Sequence, residues 1–345
     1  MTEPERVVIA LPSKGELAEP TLSFLAECGL RPERTGPRHY SARMPALPEV
    51  TVLLQRAWDI LRKVADGTAD IGITGLDIVS EDEEDGGNVT FLHEGLGYGG
   101  CDLVLAVPET WLDVDSLADI ADIALEFRES RGRDLRVATR FPNLTRRFLV
   151  QNGVTCFAIV VANGAIEAAP ATGYAEIVAD LSSSGTTLRS NHLKPLADGL
   201  ILSSEACLIA NSRALREREA VTRVSRSMLE LIDATLRGRR HSRVTASVRG
   251  ESARDVVDRL LAEAVIETPD QSAVVPLEKL DSQGGGDLWV SLTVGKPRLL
   301  RCVTCLRDMG ASNIVVTPVR YHFTGCSESY AQMTKRLEQE SHPSQ

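Results

Sequence analysis

The sequence lacks the features that mark membrane-spanning, secreted and nucleic-acid-binding proteins. No run of apolar residues approaches the roughly 18 that a membrane span needs. The opening segment (MTEPERVVIALPSKGE) has neither the basic stretch nor the long apolar core of a signal peptide. Acidic residues outnumber basic ones, 48 to 38, and the resulting formal charge of −10 does not favour a nucleic-acid partner. We therefore expect a cytoplasmic protein.

The seven cysteines lack a pairing pattern. They are odd in number and scattered along the chain, which is typical of reduced thiols. Cys302 and Cys305 form a Cys-x-x-Cys pair, but the sequence has no second pair to complete a zinc site. Because this pair falls among Leu299, Leu300 and Leu306 in a predicted helix, we expect two buried thiols.

The chain does have a regular alternation of short apolar runs and amphipathic stretches. Its 345 residues, 43% apolar and 25% charged, are enough for two or three domains. Strand and helix patterns alternate through the first two-thirds, which predicts parallel α/β sheets. Predicted crossings near Gly97 and Pro195 divide this part into two lobes with a cleft between them. The first lobe takes residues 1–97 and 195–240, and the second lobe takes residues 98–194.

The pattern changes after residue 240. Strands are predicted at residues 243–248, 273–277, 288–294 and 314–319, with helices at residues 253–264 and 297–309. The order β-α-β-β-α-β is the ferredoxin-like pattern. By analogy, such modules in enzymes often sense a ligand. We therefore predict a regulatory domain over residues 241–323 and a flexible tail over residues 324–345.

Residues 176–193 (EIVADLSSSGTTLRSNHL) carry the strongest functional pattern. A short apolar strand has Asp180 near its end, and the following loop, residues 182–187, has a hydroxyl on every residue but Gly185. Glycine lets the backbone approach a ligand, and consecutive N–H groups form an anion-binding nest. A carboxylate repels phosphate but accepts hydrogen bonds from ribose hydroxyls, so the combination suggests a sugar phosphate. The alternative is a Ser/Thr-rich turn whose hydroxyls cap the next helix.

These residues resemble the long form of ATP phosphoribosyltransferase, the family that catalyses the first step of histidine biosynthesis. The resemblance covers about residues 6–322. It is most specific over residues 176–193, where an aspartate is followed by the pattern Ser/Thr-Gly-x-Thr-Leu. Four other segments also match the family: residues 70–75 (DIGITG), 99–101 (GGC), 163–170 (NGAIEAAP) and 204–209 (SEACLI).

The resemblance implies a two-lobed core, like the periplasmic binding proteins, with a C-terminal ferredoxin-like regulatory domain. It implies a reaction that joins N1 of ATP to C1′ of phosphoribosyl pyrophosphate and releases pyrophosphate with the help of Mg²⁺. No motif identifies the ligands of the metal. The family also implies inhibition by histidine through the C-terminal domain, and assembly into dimers or hexamers. Residues 281–286 and 309–313 are candidate loops of the sensor domain.

The resemblance assigns the second lobe to phosphoribosyl pyrophosphate. Asp180 would hold the ribose hydroxyls. The remaining residues implied for this substrate are Ser182, Ser183, Ser184, Gly185, Thr186, Thr187 and Glu167. The family often has an arginine where this chain has Thr186, so one positive contact is either missing or supplied by Arg189.

The resemblance assigns the first lobe to the nucleotide. The residues implied are Lys14, Gly15, Arg38, Arg56, Asp70 and Gly75. Arg56 would face the pyrophosphate or the phosphates of ATP, and we expect Arg56 and Asp180 to be the catalytic residues. The segment from residue 38 to residue 48 does not match the family cleanly, which leaves Arg43 as a rival to Arg38.

Two other classes of protein could use such a two-lobed α/β chain. One is a small-molecule binding module, such as a solute receptor or an effector-sensing domain. The lack of a signal peptide weighs against a receptor. No helix-turn-helix precedes the first strand, which weighs against the effector-sensing domain of a DNA-binding regulator. The other is a catalytically inactive regulatory paralogue. The presence of Arg56, Asp180 and the loop of residues 182–187 weighs against that class.

Overall fold

The fold is available from a computed structural model, which describes residues 5–34, 36, 40–82, 88–162, 164–249, 253–266, 272–276 and 287–341. The chain divides into two compact units. The first unit is Met1–Arg226 with Gln332–Gln345, and the second unit is Ser227–Ala331.

The first unit alternates strands and helices, as the sequence predicts. Its elements in chain order are β1 (Val7–Pro12), α1 (Ala18–Glu27), β2 (Glu33–Arg34), β3 (Ser41–Arg43), β4 (Val50–Gln55), α2 (Ala57–Ala65), β5 (Ile71–Gly75), α3 (Leu76–Glu81), β6 (Val89–His93), β7 (Cys101–Pro108), α4 (Leu117–Arg131), β8 (Leu135–Thr139), α5 (Pro142–Gln151), β9 (Phe157–Val161), α6 (Ala169–Thr172), β10 (Ile177–Ser182), α7 (Thr186–Ser190), β11 (Leu193–Ser204), β12 (Ala206–Asn211) and α8 (Ser212–Glu217). Helix α9 (Glu219–Arg239) then continues into the second unit.

The first lobe is a sheet with the strand order β2-β3-β4-β1-β5-β12-β6. Strands β1, β4 and β5 run parallel, so their carboxyl ends lie at one edge of the sheet. Every residue of β5 is buried, as expected for a central strand of a parallel sheet. This edge is therefore the place where an open α/β sheet binds ligands.

The second lobe is a sheet with the strand order β11-β7-β10-β8-β9. Strand β8 lies between β10 and β9 and runs parallel to both, which again brings three carboxyl ends together. Helix α4 and these strands share one apolar core, which includes the fully buried Leu135, Val137 and Ile177. Each such side chain contributes about 2 kcal/mol of burial free energy.

Strand β11 corrects the predicted boundary of the second lobe. Residues 200–202 were expected to return to the first lobe after a crossing near Pro195. Instead β11 pairs with β7 from Leu193 to Ser204, although its register shifts twice on the way. The second crossing therefore lies next to Glu205. The long antiparallel pairing with β7 keeps the chain in this sheet. Because β7 is distant in sequence, the local pattern of residues 193–204 does not predict this pairing.

The two crossing segments bond to each other at one side of the cleft. The N–H of Leu96 donates to the carbonyl of Ala206 at 2.8 Å, and the N–H of Ala206 donates to the carbonyl of Tyr98 at 3.0 Å. The carboxylate of Glu205 accepts the N–H of Gly97 at 3.0 Å. Gly97 has a φ of +71°, a conformation that favours glycine. The lobes are thus joined by two connections that are themselves hydrogen-bonded.

The second unit has the predicted ferredoxin-like topology. Its elements are β13 (His241–Arg249), α10 (Ala253–Ala262), β14 (Ser272–Pro276), β15 (Asp287–Gly295), α11 (Leu299–Asp308) and β16 (Ser312–Pro318). The strand order β14-β15-β13-β16 is fully antiparallel. Cys302 and Cys305 are buried in the core of this unit, and burial raises the pKa of Cys302 to about 12. The expectation of two buried thiols is confirmed, and all seven cysteines are free.

The expected flexible tail contains a helix, α12 (Glu328–Ser341). Ser327 lies just before α12 and Ser329 lies in the first turn of α12. The hydroxyls of both donate hydrogen bonds of 2.7 Å to the carboxylate of Asp233 in α9. Met333 of α12 is buried. The segment is polar, and its sequence does not show that Asp233 of α9 holds its start by hydrogen bonds; the prediction of a flexible tail therefore missed this helix. Among the described residues, no helix is long and apolar enough to cross a membrane.

Candidate active site

A cavity of about 440 Å³ lies between the two lobes of the first unit. Both walls are built from loops that follow parallel strands. Residues after β1, β4 and β5 line it from the first lobe, and residues after β8, β9 and β10 line it from the second. The arrangement follows the rule that open α/β sheets bind ligands beyond the carboxyl ends of their strands.

The loop after β10 presents a row of hydrogen-bond donors to the cavity. Gly185 adopts a φ of +70°, and its N–H is held by the hydroxyl of Ser182 at 3.1 Å. Within the part of the chain that the structure describes, the backbone N–H groups of Ser183, Ser184, Thr186 and Thr187 donate to no other group. All residues from Ser182 to Thr187 line the cavity. The sequence prediction of an anion nest therefore has the geometry it needs.

Asp180 lies in β10, two residues before this loop; it lines the cavity and is partly buried. Burial raises the pKa of its carboxyl, the N–H of Leu181 lowers it, and the charge of Glu167 raises it again. Glu167 also lines the cavity. The two carboxylates are thus close enough to repel each other, and donors such as ribose hydroxyls would relieve that repulsion.

The first lobe places Lys14, Gly15 and Gly75 at the cavity, as predicted. Gly15 has a φ of +82°, which favours glycine at this turn. Arg56 does not line the cavity. It stands at the N-cap of α2, directly before the lining residues Ala57 and Trp58, and it is exposed. The contact of its side chain with a bound anion therefore stays a prediction.

Asp70 lies away from the cavity, at the amino end of β5. It accepts the N–H of Val8 at 2.8 Å and pairs with Arg218. The parallel pairing of β1 and β5 puts this end of the strand opposite the ligand edge. We therefore leave Asp70 out of the site. The resemblance covered the whole segment 70–75, and only its far end reaches the cavity.

Of the two rival arginines, Arg38 lies outside the described residues, and its role stays a prediction. Arg43 is exposed and pairs in register with Thr51 of β4. Thr51 lies four residues before the carboxyl end of β4, or about 13 Å along the strand. Arg43 is therefore remote from the ligand edge.

The sequence interpretation missed three charged residues at the cavity: Glu16, Asp77 and Arg140. Asp77 follows β5 and is buried; its N–H donates to the hydroxyl of Ser204 at 2.9 Å, and its carboxylate accepts that hydroxyl at 2.7 Å. Burial raises the pKa of Asp77, and the bond from Ser204 and the charge of Arg140 partly offset this. Arg140 directly follows β8 and also lowers the pKa of Asp180. The positions of Asp77 and Arg140 just after strands could have identified both residues.

The apolar part of the cavity is formed by aromatic rings from both lobes. The rings of Trp58 and Phe141 lie with their centroids 5.6 Å apart. Phe141 packs with Leu103 and Leu144 in a small buried cluster. The ring of Trp58, backed by this apolar cluster, offers a surface that suits an aromatic base.

The described residues contain no group of three or more histidine, cysteine, aspartate or glutamate side chains that could hold a metal ion. The cavity does offer the carboxylates of Glu16, Asp77, Glu167 and Asp180. Mg²⁺ commonly uses one or two carboxylates together with the phosphates of a substrate. The residues therefore fit a metal that is bound together with a phosphorylated ligand.

Comparison with known proteins gives consistent matches. A family model described as ATP phosphoribosyltransferase matches residues 56–232. "ATP phosphoribosyltransferase 2, chloroplastic" of Arabidopsis thaliana is 36% identical over 337 residues, covering 96% of this chain and 81% of the relative. "ATP phosphoribosyltransferase" of Rhodopseudomonas palustris (strain BisB18) is 36% identical over 341 residues, covering 98% and 100%. A solved structure, an "ATP phosphoribosyl transferase (HisG:HisZ) complex" from Thermotoga maritima, matches 66% of this chain and 98% of its own at 24% identity, with a TM-score of 0.48.

Proposed function

The chain belongs to the ATP phosphoribosyltransferase family, and from this we propose how its cleft joins N1 of ATP to C1′ of phosphoribosyl pyrophosphate. The reaction is the first step of histidine biosynthesis, and the enzyme is a pentosyltransferase. One observation carries the proposal: the free N–H groups of Ser183, Ser184, Thr186 and Thr187 share one cavity with the carboxylate of Asp180. A phosphate and a ribose need these two kinds of group side by side.

The second lobe holds phosphoribosyl pyrophosphate. The 5′-phosphate lies on the N–H groups of Ser183, Ser184, Thr186 and Thr187, supported by their hydroxyls. Asp180 accepts hydrogen bonds from the ribose hydroxyls, with Glu167 beside it. The ribose hydroxyls add donors to a carboxylate that also accepts the N–H of Leu181.

The first lobe holds the nucleotide. Lys14 and Gly15 meet its phosphates in the loop after β1, and the adenine packs against Trp58, whose ring contacts Phe141. Arg56 reaches toward the pyrophosphate or the ATP phosphates, where a bidentate guanidinium is well suited. Arg38 is a second candidate for this role.

One or two of the cavity carboxylates Asp77, Glu167 and Asp180 would hold Mg²⁺ together with the pyrophosphate. When bound, the ion would neutralise charge on the leaving group. The chain's own cations, Arg56 and Arg140, add to that neutralisation from the two lobes.

The chemical step is a direct displacement. The lone pair of adenine N1 forms the bond to C1′, and the bond from C1′ to the pyrophosphate oxygen breaks with its electron pair leaving on pyrophosphate. The ribose passes through a state of oxocarbenium character, which the negative charge of Asp180 stabilises. Cys101 lines the cavity, but burial and the nearby Asp77 raise the pKa of this thiol to about 11, so it is un-ionised at neutral pH. Alignment and electrostatics are enough for catalysis without a covalent nucleophile.

Regulation and assembly follow the family expectation. We propose that histidine inhibits through the second unit and that the enzyme assembles into dimers or hexamers. The ferredoxin-like topology of the second unit supports a sensor role by analogy. Of the two candidate sensor loops, residues 281–286 lie outside the described residues. The other, residues 309–313, contains Asn313 with a φ of +51°. A cytoplasmic location remains a prediction.

Pyrophosphate release tests the function. Purified protein with ATP, phosphoribosyl pyrophosphate and Mg²⁺ should release one pyrophosphate for each ribosylated ATP, and omission of either substrate should abolish both products. Binding of both substrates without turnover would instead identify a binding module or an inactive paralogue. Addition of histidine to the same assay tests the proposed inhibition.

A further inference from the structure

Helix α5 begins without a capping residue of its own. Its N-cap is Phe141, whose side chain cannot accept a hydrogen bond, and Pro142 in the first turn has no N–H. The N–H of Thr145 bonds to the carbonyl of Phe141 at 3.0 Å. The N–H groups of Asn143 and Leu144 are therefore left to find acceptors outside the helix.

Both of these donors go to one carboxylate from the opposite lobe. Glu81, the last residue of α3, accepts the N–H of Asn143 at 2.8 Å with one oxygen and the N–H of Leu144 at 3.0 Å with the other. The Asn143 side chain returns a bond to the carbonyl of Glu81 at 3.0 Å. Glu81 is only 4% exposed. A first-lobe residue thus caps a second-lobe helix.

The capped end of α5 is also part of the active-site wall. Arg140 and Phe141, the two residues before the helix, both line the cavity, and Phe141 contacts Trp58 of the first lobe. Any shift of the lobes that withdrew Glu81 would leave two N–H groups without acceptors and would move Arg140. The cap therefore links lobe position to the placement of a cleft cation.

We propose that Glu81 is a positioning residue, which holds the two lobes in register and places Arg140 and Phe141 for the reaction. The inference rests on the proposed function for its kinetic consequences. Its structural part, the restraint of the lobes, does not depend on any activity.

Helix α4 supplies a matched control. Its N-cap Ser116 and Asp119 form a capping box within the same lobe, and Asp198 of β11 accepts the N–H of Leu117. Ser116→Ala therefore removes a cap from a second-lobe helix without touching the contact between lobes. It should lower Tm by less than Glu81→Ala, because one donor instead of two loses its acceptor, and leave the kinetics within twofold of the parent.

Kinetics and an inter-lobe distance test the proposal together. Glu81→Ala should lower kcat/KM about tenfold, mostly through a higher KM for phosphoribosyl pyrophosphate, and Glu81→Gln, which keeps one acceptor, should lie between it and the parent. Fluorescent non-natural amino acids at the exposed positions Glu19 and Glu129 should report a broader distance distribution in Glu81→Ala than in Ser116→Ala. Identical distances and kinetics in the two alanine variants would overturn the proposal. An inactive parent would refute the proposed function, and the distance measurement would still decide on Glu81.

Discussion

The two walls of the cleft are built in different ways. The second-lobe wall takes most of its contacts from one continuous segment, residues 180–187, where a strand, a nest and a short helix follow one another. The first-lobe wall is assembled from residues far apart in sequence, including Lys14, Trp58 and Asp77. A local sequence pattern can therefore predict the second-lobe wall, whereas the first-lobe wall forms only when the sheet brings its residues together.

The largest kinetic effect is expected from a substitution of Asp180 in the second-lobe wall. Asp180→Asn should lower kcat/KM for phosphoribosyl pyrophosphate at least about 100-fold, near 2.7 kcal/mol, and change ATP binding far less. The amide removes the negative charge and puts a donor where ribose hydroxyls need an acceptor. Steady-state kinetics with each substrate varied in turn measure the difference. Equal losses for both substrates would contradict the ribose assignment.

The same variant should stabilise the protein without ligand. Burial raises the pKa of Asp180, so the folded state binds this proton more tightly than the unfolded state. The stability that this provides is present at pH below the ordinary pKa of 3.8 and is lost as pH rises through the folded-state pKa. At neutral pH Asp180→Asn should therefore raise Tm, and at acid pH the two proteins should converge. Asp122→Asn, an exposed change on α4, is the control for altered net charge.

The ion pairs of Glu176 in the second lobe should contribute more to stability than to substrate binding. Glu176, just before β10, accepts from Arg136 at 2.6 Å and from Arg133 at 3.0 Å. Burial alone would raise its pKa, but these bonds hold the pKa at about 2. Glu176→Gln should lower the free energy of unfolding by about 2 kcal/mol at neutral pH.

The pH dependence checks the origin of this loss. Because the pKa of Glu176 is depressed, its contribution is present above the ordinary pKa of 4.5 and is lost as pH falls toward about 2. Urea unfolding at several pH values should show parent and variant converging across that window. Glu217→Gln breaks an exposed pair with Arg213 and should cost less than about 0.5 kcal/mol. A pH-independent difference would assign the loss to packing.

On the first-lobe wall, Arg56→Ala should lower kcat/KM more than about tenfold, a loss of about 1.4 kcal/mol or more. The reason is the loss of a permanent cation opposite the developing charge on pyrophosphate. Arg62→Ala, an exposed arginine in the last turn of the same helix, should stay near the parent. Activity of Arg56→Ala within twofold of the parent would remove Arg56 from the mechanism.

The difference between the walls also explains which sequence predictions held. The alternation of elements and the β-α-β-β-α-β order depend on short-range pattern, and both are present in the fold. Asp70 precedes β5 and Asp77 follows it, so the rule that open α/β sheets bind ligands beyond the carboxyl ends of their strands favours Asp77. The assignment of β11 depends on its antiparallel partner, and the approach of Arg140 to Asp180 depends on the pairing of β8 with β10. These are long-range facts that a single sequence does not display.

Arg189 offers the finest test of the second-lobe wall, because the family pattern expects an arginine at the position of Thr186. Its guanidinium donates to the carbonyl of Ser184 at 2.8 Å and lies against Gly185, so it both braces the nest and adds positive charge. Arg189→Ala should raise KM for phosphoribosyl pyrophosphate about threefold, near 0.7 kcal/mol, because the side chain is exposed and solvent screens it. Arg213→Ala, on the first lobe, controls for the loss of one charge. A change of tenfold or more would mean that Arg189 contacts the phosphate directly and takes the place of the missing arginine. No change beyond the control would mean that the backbone N–H groups hold the phosphate alone.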